Sequence, residues 1–155
     1  MSTTTTNRIE KEIVLKAPRS RVWRAISNAQ EFGEWFKVDM SGVTFEAGKA
    51  AVGKMTYPGY EGHPFEIVID RIEPERLFSF KWHPYGIDSD VDYSNEPMTT
   101  IEFRLEDVDG GTKLTITESG FDSIPLARRA EAFRMNSEGW GIQIHNIEAY
   151  VTRGP

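Results

Sequence analysis

The chain predicts an α+β fold, with a curved, mostly antiparallel sheet of about six to seven strands around one long C-terminal helix. Three observations predict it. Apolar residues alternate in short runs between Val43 and Phe121, bounded by Gly, Pro and Asp turns. Two short helical stretches follow the first strand. The chain then closes on Glu138-Gly139-Trp140 and the apolar series Ile142, Ile144, Ile147, Tyr150, Val151. A sheet with one apolar face has to cover it, and the late helix is the available cover. A curved sheet gripping a helix encloses a cavity, which is a reason to bind something small.

Each element has a local signal. Ile9 to Lys16 is a half-buried strand, with Ile9, Ile13 and Leu15 inward. Ala17-Pro18 breaks it, and Pro18 suits the first turn of a helix. Val22, Trp23, Ala25 and Ile26 take helical spacing, Asn28 ends or recaps the helix, and a second one runs from about Ala29 to Trp35. Gly42 and Gly48 flank a short strand beginning near Val43, and Lys49 to Tyr57 is the next. Strands follow at Phe65 to Ile72, Leu77 to Trp82 and Thr99 to Glu106. Asp109-Gly110-Gly111 is a hairpin turn. The last strand, Thr112 to Phe121, points Leu114, Ile116 and Glu118 inward. Met135-Asn136-Ser137 predicts a kink or restart in the final helix, because Asn and Ser favour caps. Met1 to Asn7 is Ser/Thr-rich without an apolar core, so residues 1–8 read as a disordered tail and 9–152 as one domain. The stretch from His83 to Pro97 exceeds what a hairpin needs and reads as either a functional lid, able to gate the cavity if it folds over the sheet's end, or a disordered segment.

Composition narrows the function. Of 155 residues, 39% are hydrophobic and 27% charged, ordinary for a globular domain. The net charge of -6 argues against a nucleic-acid binder and against an anionic membrane surface. No run approaches the ~18 apolar residues of a membrane span. The chain has no Cys, which excludes thiolate catalysis and Cys-ligated zinc or iron–sulfur centres, and fits the cytoplasm. His63, His83 and His145 lack zinc spacing, and no cofactor or metal is expected. Asp88, Asp90 and Asp92 begin like a calcium loop, but position 93 is Tyr and position 99 is Thr, so they read as a solvated loop.

The order of these elements resembles the SRPBCC superfamily, the START/Bet v 1-like helix-grip proteins. Ile13 to Pro18 with Val22-Trp23-Arg24-Ala25 looks like their first strand and helix, and Glu34-Trp35-Phe36 like the second helix end. Pro74-Glu75-Arg76-Leu77 with Phe80 and Trp82, then Glu118-Ser119-Gly120-Phe121 and Gly139-Trp140, resemble one bacterial branch. That branch is similar to the C-terminal domain of the activator of heat shock protein 90 ATPase. The resemblance implies the helix-grip fold and leaves the function open, since one fold serves carriers, receptors and cyclases. Some relatives carry a reductase label, vanillate demethylase reductase component. Without Cys or a Gly-rich dinucleotide fingerprint, this chain does not fit it.

Glu118 is the first candidate for chemistry. A carboxyl on an inward apolar face gains a raised pKa and can orient a ligand or move a proton. It can equally be paired with a buried Arg, Tyr or Trp donor. Trp35, Trp82, Phe121 and Trp140 can clamp a flat ligand or fill the core. Met55, Tyr57 and Ile144 complete the expected wall, and His83 the mouth. The expected function is binding of a small apolar or aromatic molecule by a monomer or weak homodimer. A cyclase or hydrolase pairing Glu118 with His83 or Tyr57 is the enzymatic alternative. A co-chaperone-like interaction module is the third.

Overall fold

Seven antiparallel strands form one sheet in the order β1-β7-β6-β5-β4-β3-β2. The computed structural model describes residues 8–83 and 97–152. The strands are β1 (Arg8–Leu15), β2 (Val38–Asp39), β3 (Ala50–Met55), β4 (Pro64–Glu73), β5 (Leu77–Trp82), β6 (Thr99–Val108) and β7 (Gly111–Ser119). Helices α1 (Arg19–Ser27) and α2 (Ala29–Phe36) separate β1 from β2. A 3-10 turn (Phe121–Ser123) leads from β7 into α3 (Leu126–Thr152). Arg8, expected in the tail, starts β1. The rest of that tail, the acidic loop and the expected lid lie outside the described residues.

Between Met40 and Lys49 the expected short strand is absent. Phe45 is buried there as an anchor instead, edge-on to Phe32 at 5.6 Å. The missing strand is replaced by β2, which lies against two glycines. A Cβ on Gly33 would come within 2.2 Å of Val38 O, and one on Gly53 within 2.5 Å of Asp39 O. Backbone approach this close requires residues without side chains.

Asn28 links the two short helices. Its N–H bonds Arg24 O to end α1, and its side chain accepts the Glu31 N–H at 2.9 Å to start α2. Glu31 then ties three helices together. It accepts from Arg21 at 2.8 Å, from Arg24 at 2.8 Å and from the Tyr150 hydroxyl of α3 at 3.0 Å. The same Tyr150 hydroxyl lies 2.7 Å from a Glu34 oxygen, so its one proton is shared between the two carboxylates, and the Arg21 guanidinium lies 5.0 Å from its ring centre. Burial alone would raise the Glu31 carboxyl. Hydrogen bonds from Tyr150 and Arg21 and the Arg21 and Arg24 charges outweigh it, and the group is held below its usual value.

A carboxyl depressed in the folded state stabilises above its unfolded pKa and loses that contribution as pH falls through the folded one. Glu31 is partly exposed, so screening limits the size of the effect. Glu31→Gln is therefore expected to cost up to about 1 kcal/mol at pH 7 and little near pH 3, read from urea midpoints. An equal loss at both pH values would assign the contribution to packing alone.

The apolar face of the sheet packs Phe78, Phe80, Ile101, Phe103, Leu114 and Ile116 against the helices, all fully buried. On α3, Ala132, Trp140, Ile144, Ile147 and Val151 repeat at helical spacing and are buried. The helix continues through Met135-Asn136-Ser137, where a kink or restart was expected. Asn136 shares the face of Ala132 and Trp140, and a tertiary hydrogen bond holds its side chain.

Candidate functional site

Strand alternation brings the polar centre of the site together. Glu118 pairs with Ile101 across β6–β7, and Trp82 pairs with Thr99 across β5–β6. Thr99 lies two residues from Ile101, so Trp82, Thr99 and Glu118 share the inward face at one end of the sheet. From α3, Asn136 and Trp140 reach the same point, one turn apart.

Glu118 is fully buried and is held by four side chains. Oε2 accepts from Trp82 Nε1 at 2.8 Å, Thr99 Oγ1 at 2.5 Å and Asn136 Nδ2 at 3.0 Å. Oε1 accepts from Trp140 Nε1 at 2.8 Å and Asn136 Nδ2 at 3.2 Å. Burial pushes the carboxyl above its ordinary value, while the bonds from Thr99, Trp82, Trp140 and Asn136 pull it down. Of the two roles open to this residue, the geometry displays pairing to buried donors. Its oxygens are occupied, and the indole N–H groups of Trp82 and Trp140 are spent on it.

Beside this centre lies a cavity of about 140 Å³. Its rings are Phe36, Tyr57, Trp82 and Trp140, and α3 adds Asn136, Gly139, Ile142 and Gln143. The two indoles stack at 5.6 Å and 26°. Phe36 stands across both, 6.1 Å from Trp82 and 5.9 Å from Trp140. Half-exposed Ile142 marks where the cavity reaches the surface.

Of the residues expected at the site, Tyr57, Trp82 and Trp140 line the cavity, with Glu118 behind them. Trp35 does not line it; it is 2% exposed in the core and donates to Ala25 O at 2.9 Å. Met55 packs half-buried at the end of β3. Phe121 is buried in the 3-10 turn, edge-on to Phe133 at 5.3 Å. Ile144 faces the core, two residues and about 200° round the helix from half-exposed Ile142. His83 is half-buried just beyond β5 and is not part of the wall. Among the described residues, no cluster of His, Asp or Glu could hold a metal ion.

Phe36, Asn136, Gly139, Ile142 and Gln143 complete the wall without having been expected there. Asn136 had a readable signal, since it lies four residues before Trp140 on the same helical face. Gly139 had another, because glycine inside a helix costs about 1 kcal/mol relative to Ala and calls for a reason. A Cβ at Gly139 would meet nothing within 4 Å. The missing side chain leaves open space beside the cavity.

The sheet order and the long C-terminal helix laid on its apolar face define an α+β helix-grip domain. Residues 16–152 match the family described as Activator of Hsp90 ATPase homolog 1-like protein, and the chain belongs to that family. Among solved structures, protein MLL2253 of Mesorhizobium loti is 19% identical with a TM-score of 0.73, over 96% of this chain and 98% of that one. A protein from Arthrobacter aurescens is 16% identical with a TM-score of 0.77, over 99% and 91%. DynU16, from the dynemicin biosynthetic locus, is 20% identical with a TM-score of 0.68 over 96% of this chain. The match covers 48% of DynU16, so this chain spans about half its length. At these identities the likeness is one of fold. No curated protein sequence matches. Among the described residues, no helix is long and apolar enough to cross a membrane.

Proposed function

We propose that this chain binds a small apolar or aromatic molecule in the cavity between the sheet and α3, as a cytoplasmic monomer or weak homodimer. One observation carries the reading. Four rings wall the cavity, and the indole N–H groups among them are already satisfied by Glu118, which leaves the cavity largely apolar. Its size suits one ring, since an engineered cavity of about 150 Å³ takes benzene. Enclosing a ring removes apolar area worth a few kcal/mol before ordering costs, so dissociation constants near 0.1–1 mM are expected for simple rings.

The test uses the open space at Gly139. In amide NMR titrations with phenol, the indole N–H signals of Trp82 and Trp140 are expected to shift saturably. Gly139→Leu projects its side chain into that space and is expected to abolish the shifts. Removing a helix-interior glycine should keep its stability at or above the parent's, by up to about 1 kcal/mol. Phenol shifts that persist in Gly139→Leu, or an unmoved parent spectrum, would overturn the reading.

A further inference from the structure

We propose that the cavity selects a compact organic ammonium group, quaternary or methylated, over its neutral and anionic counterparts. This rests on the ligand-binding reading above and adds the charge of the ligand.

The orientation of the rings carries the inference. Aromatic faces are electron-rich and edges electron-poor, and Trp is the strongest of the three ring types for cations. Here the most positive edge group of each indole, its N–H, is turned away onto the Glu118 carboxyl at 2.8 Å. Phe36 and Tyr57 add two more rings to the same small space. An acidic group behind two donor-bound indoles adds to the negative potential on their cavity side wherever it is ionised. Burial holds the group above its ordinary value and works against that form, while its hydrogen-bond donors favour it. Trp82 and Trp140 can only donate, so a carboxylate satisfies both.

The polar groups on the wall point the same way. None of the lining residues is Lys, Arg or His. Lys37, next to Phe36, carries its side chain in solvent. The Gln143 amide donates to Phe36 O at 3.2 Å and accepts from Asn146 at 3.0 Å, so it is committed at both ends. Asn136 spends its N–H₂ on Glu118, which leaves its Oδ1 as an acceptor. A carboxylate ligand would meet no cationic donor here, and the whole chain carries a net charge of -6. An ammonium group is held by aromatic rings and acceptor oxygens, and the wall supplies four rings and the Asn136 Oδ1.

The experiment uses three probes of nearly equal shape: choline, 3,3-dimethylbutan-1-ol and 3,3-dimethylbutanoate. Phenol serves as a ring control. All four are titrated into the native protein, followed on the indole N–H signals of Trp82 and Trp140. Choline is expected to bind at least about tenfold more tightly than the neutral alcohol, a difference of about 1.4 kcal/mol, with no saturation by the carboxylate. Equal or tighter binding of the alcohol, with phenol still binding, would overturn the charge selection and leave the cavity reading standing. Silence with all four probes would overturn both. No substitution is involved, so a variant's folding cannot obscure the answer.

Discussion

Glu118→Ala is expected to remove roughly 4–6 kcal/mol of folding stability, because it strands several buried donors at about 1–3 kcal/mol each. Trp82 Nε1, Thr99 Oγ1, Asn136 Nδ2 and Trp140 Nε1 would all lose their acceptor. The hydroxyl can rotate toward another partner. The indoles cannot, because the stack of Trp82 on Trp140 and the crossing Phe36 ring fix their planes. Glu118→Gln keeps one acceptor oxygen and turns an amide N–H₂ against the remaining donors, so about half that loss is expected. Guanidinium unfolding followed by near-ultraviolet circular dichroism reads both variants. A loss under about 1 kcal/mol for Glu118→Ala would mean that water takes over the carboxylate's bonds and that the centre is not closed.

Trp140→Ala is expected to cost about 3–5 kcal/mol, the usual range for emptying a large aromatic site in a core. Trp140 is 2% exposed and also meets Phe103 edge-on at 5.7 Å. Trp140→Phe keeps most of the ring contact and deletes the N–H, which isolates the bond to Oε1 of Glu118. In a double-mutant cycle, Trp140→Phe and Glu118→Gln should lose less together than the sum of their separate losses, because they share that bond. Strict additivity would show that the 2.8 Å bond contributes nothing net.

The strands were legible because their alternation is strong. The inward series Leu114, Ile116, Glu118 and the hairpin at Asp109-Gly110 both appear in the fold, the latter closing with Val108 opposite Gly111. The burial of Glu118 followed from the same alternation. Pairing to a Trp donor was among the expectations, and Trp82 and Trp140 supply it, but Thr99 and Asn136 were not foreseen, because they come from other elements and meet it only through sheet register and the docking of α3. Asn136 was read as a helix breaker since local preference favours caps. The tertiary bond to Glu118 overrides that preference. Trp35 illustrates the opposite difficulty. Periodicity places it on the inner face of α2, yet it cannot distinguish a ring that fills the core from one that walls a cavity. That depends on what stands opposite, and Phe103 of β6 stands opposite Trp35 at 6.2 Å.

The pairing of β1 with β7 governs how the chain assembles. Strands β6 and β7 meet through a two-residue turn, and β3, β4 and β5 pair with their neighbours in sequence. By contrast, among the described residues β1 pairs with β7 alone, and Thr112 of β7 bonds Ala17 O across 95 residues. Closing so long a loop is slow, since chain entropy is lost before the contact forms. During synthesis, β1 emerges first and finds no partner until β7 has followed. Of these seven strands, β1 can therefore join the sheet only after β7 has been made, and its charged residues, Arg8, Glu10, Lys11 and Glu12, disfavour edge-to-edge pairing with other chains.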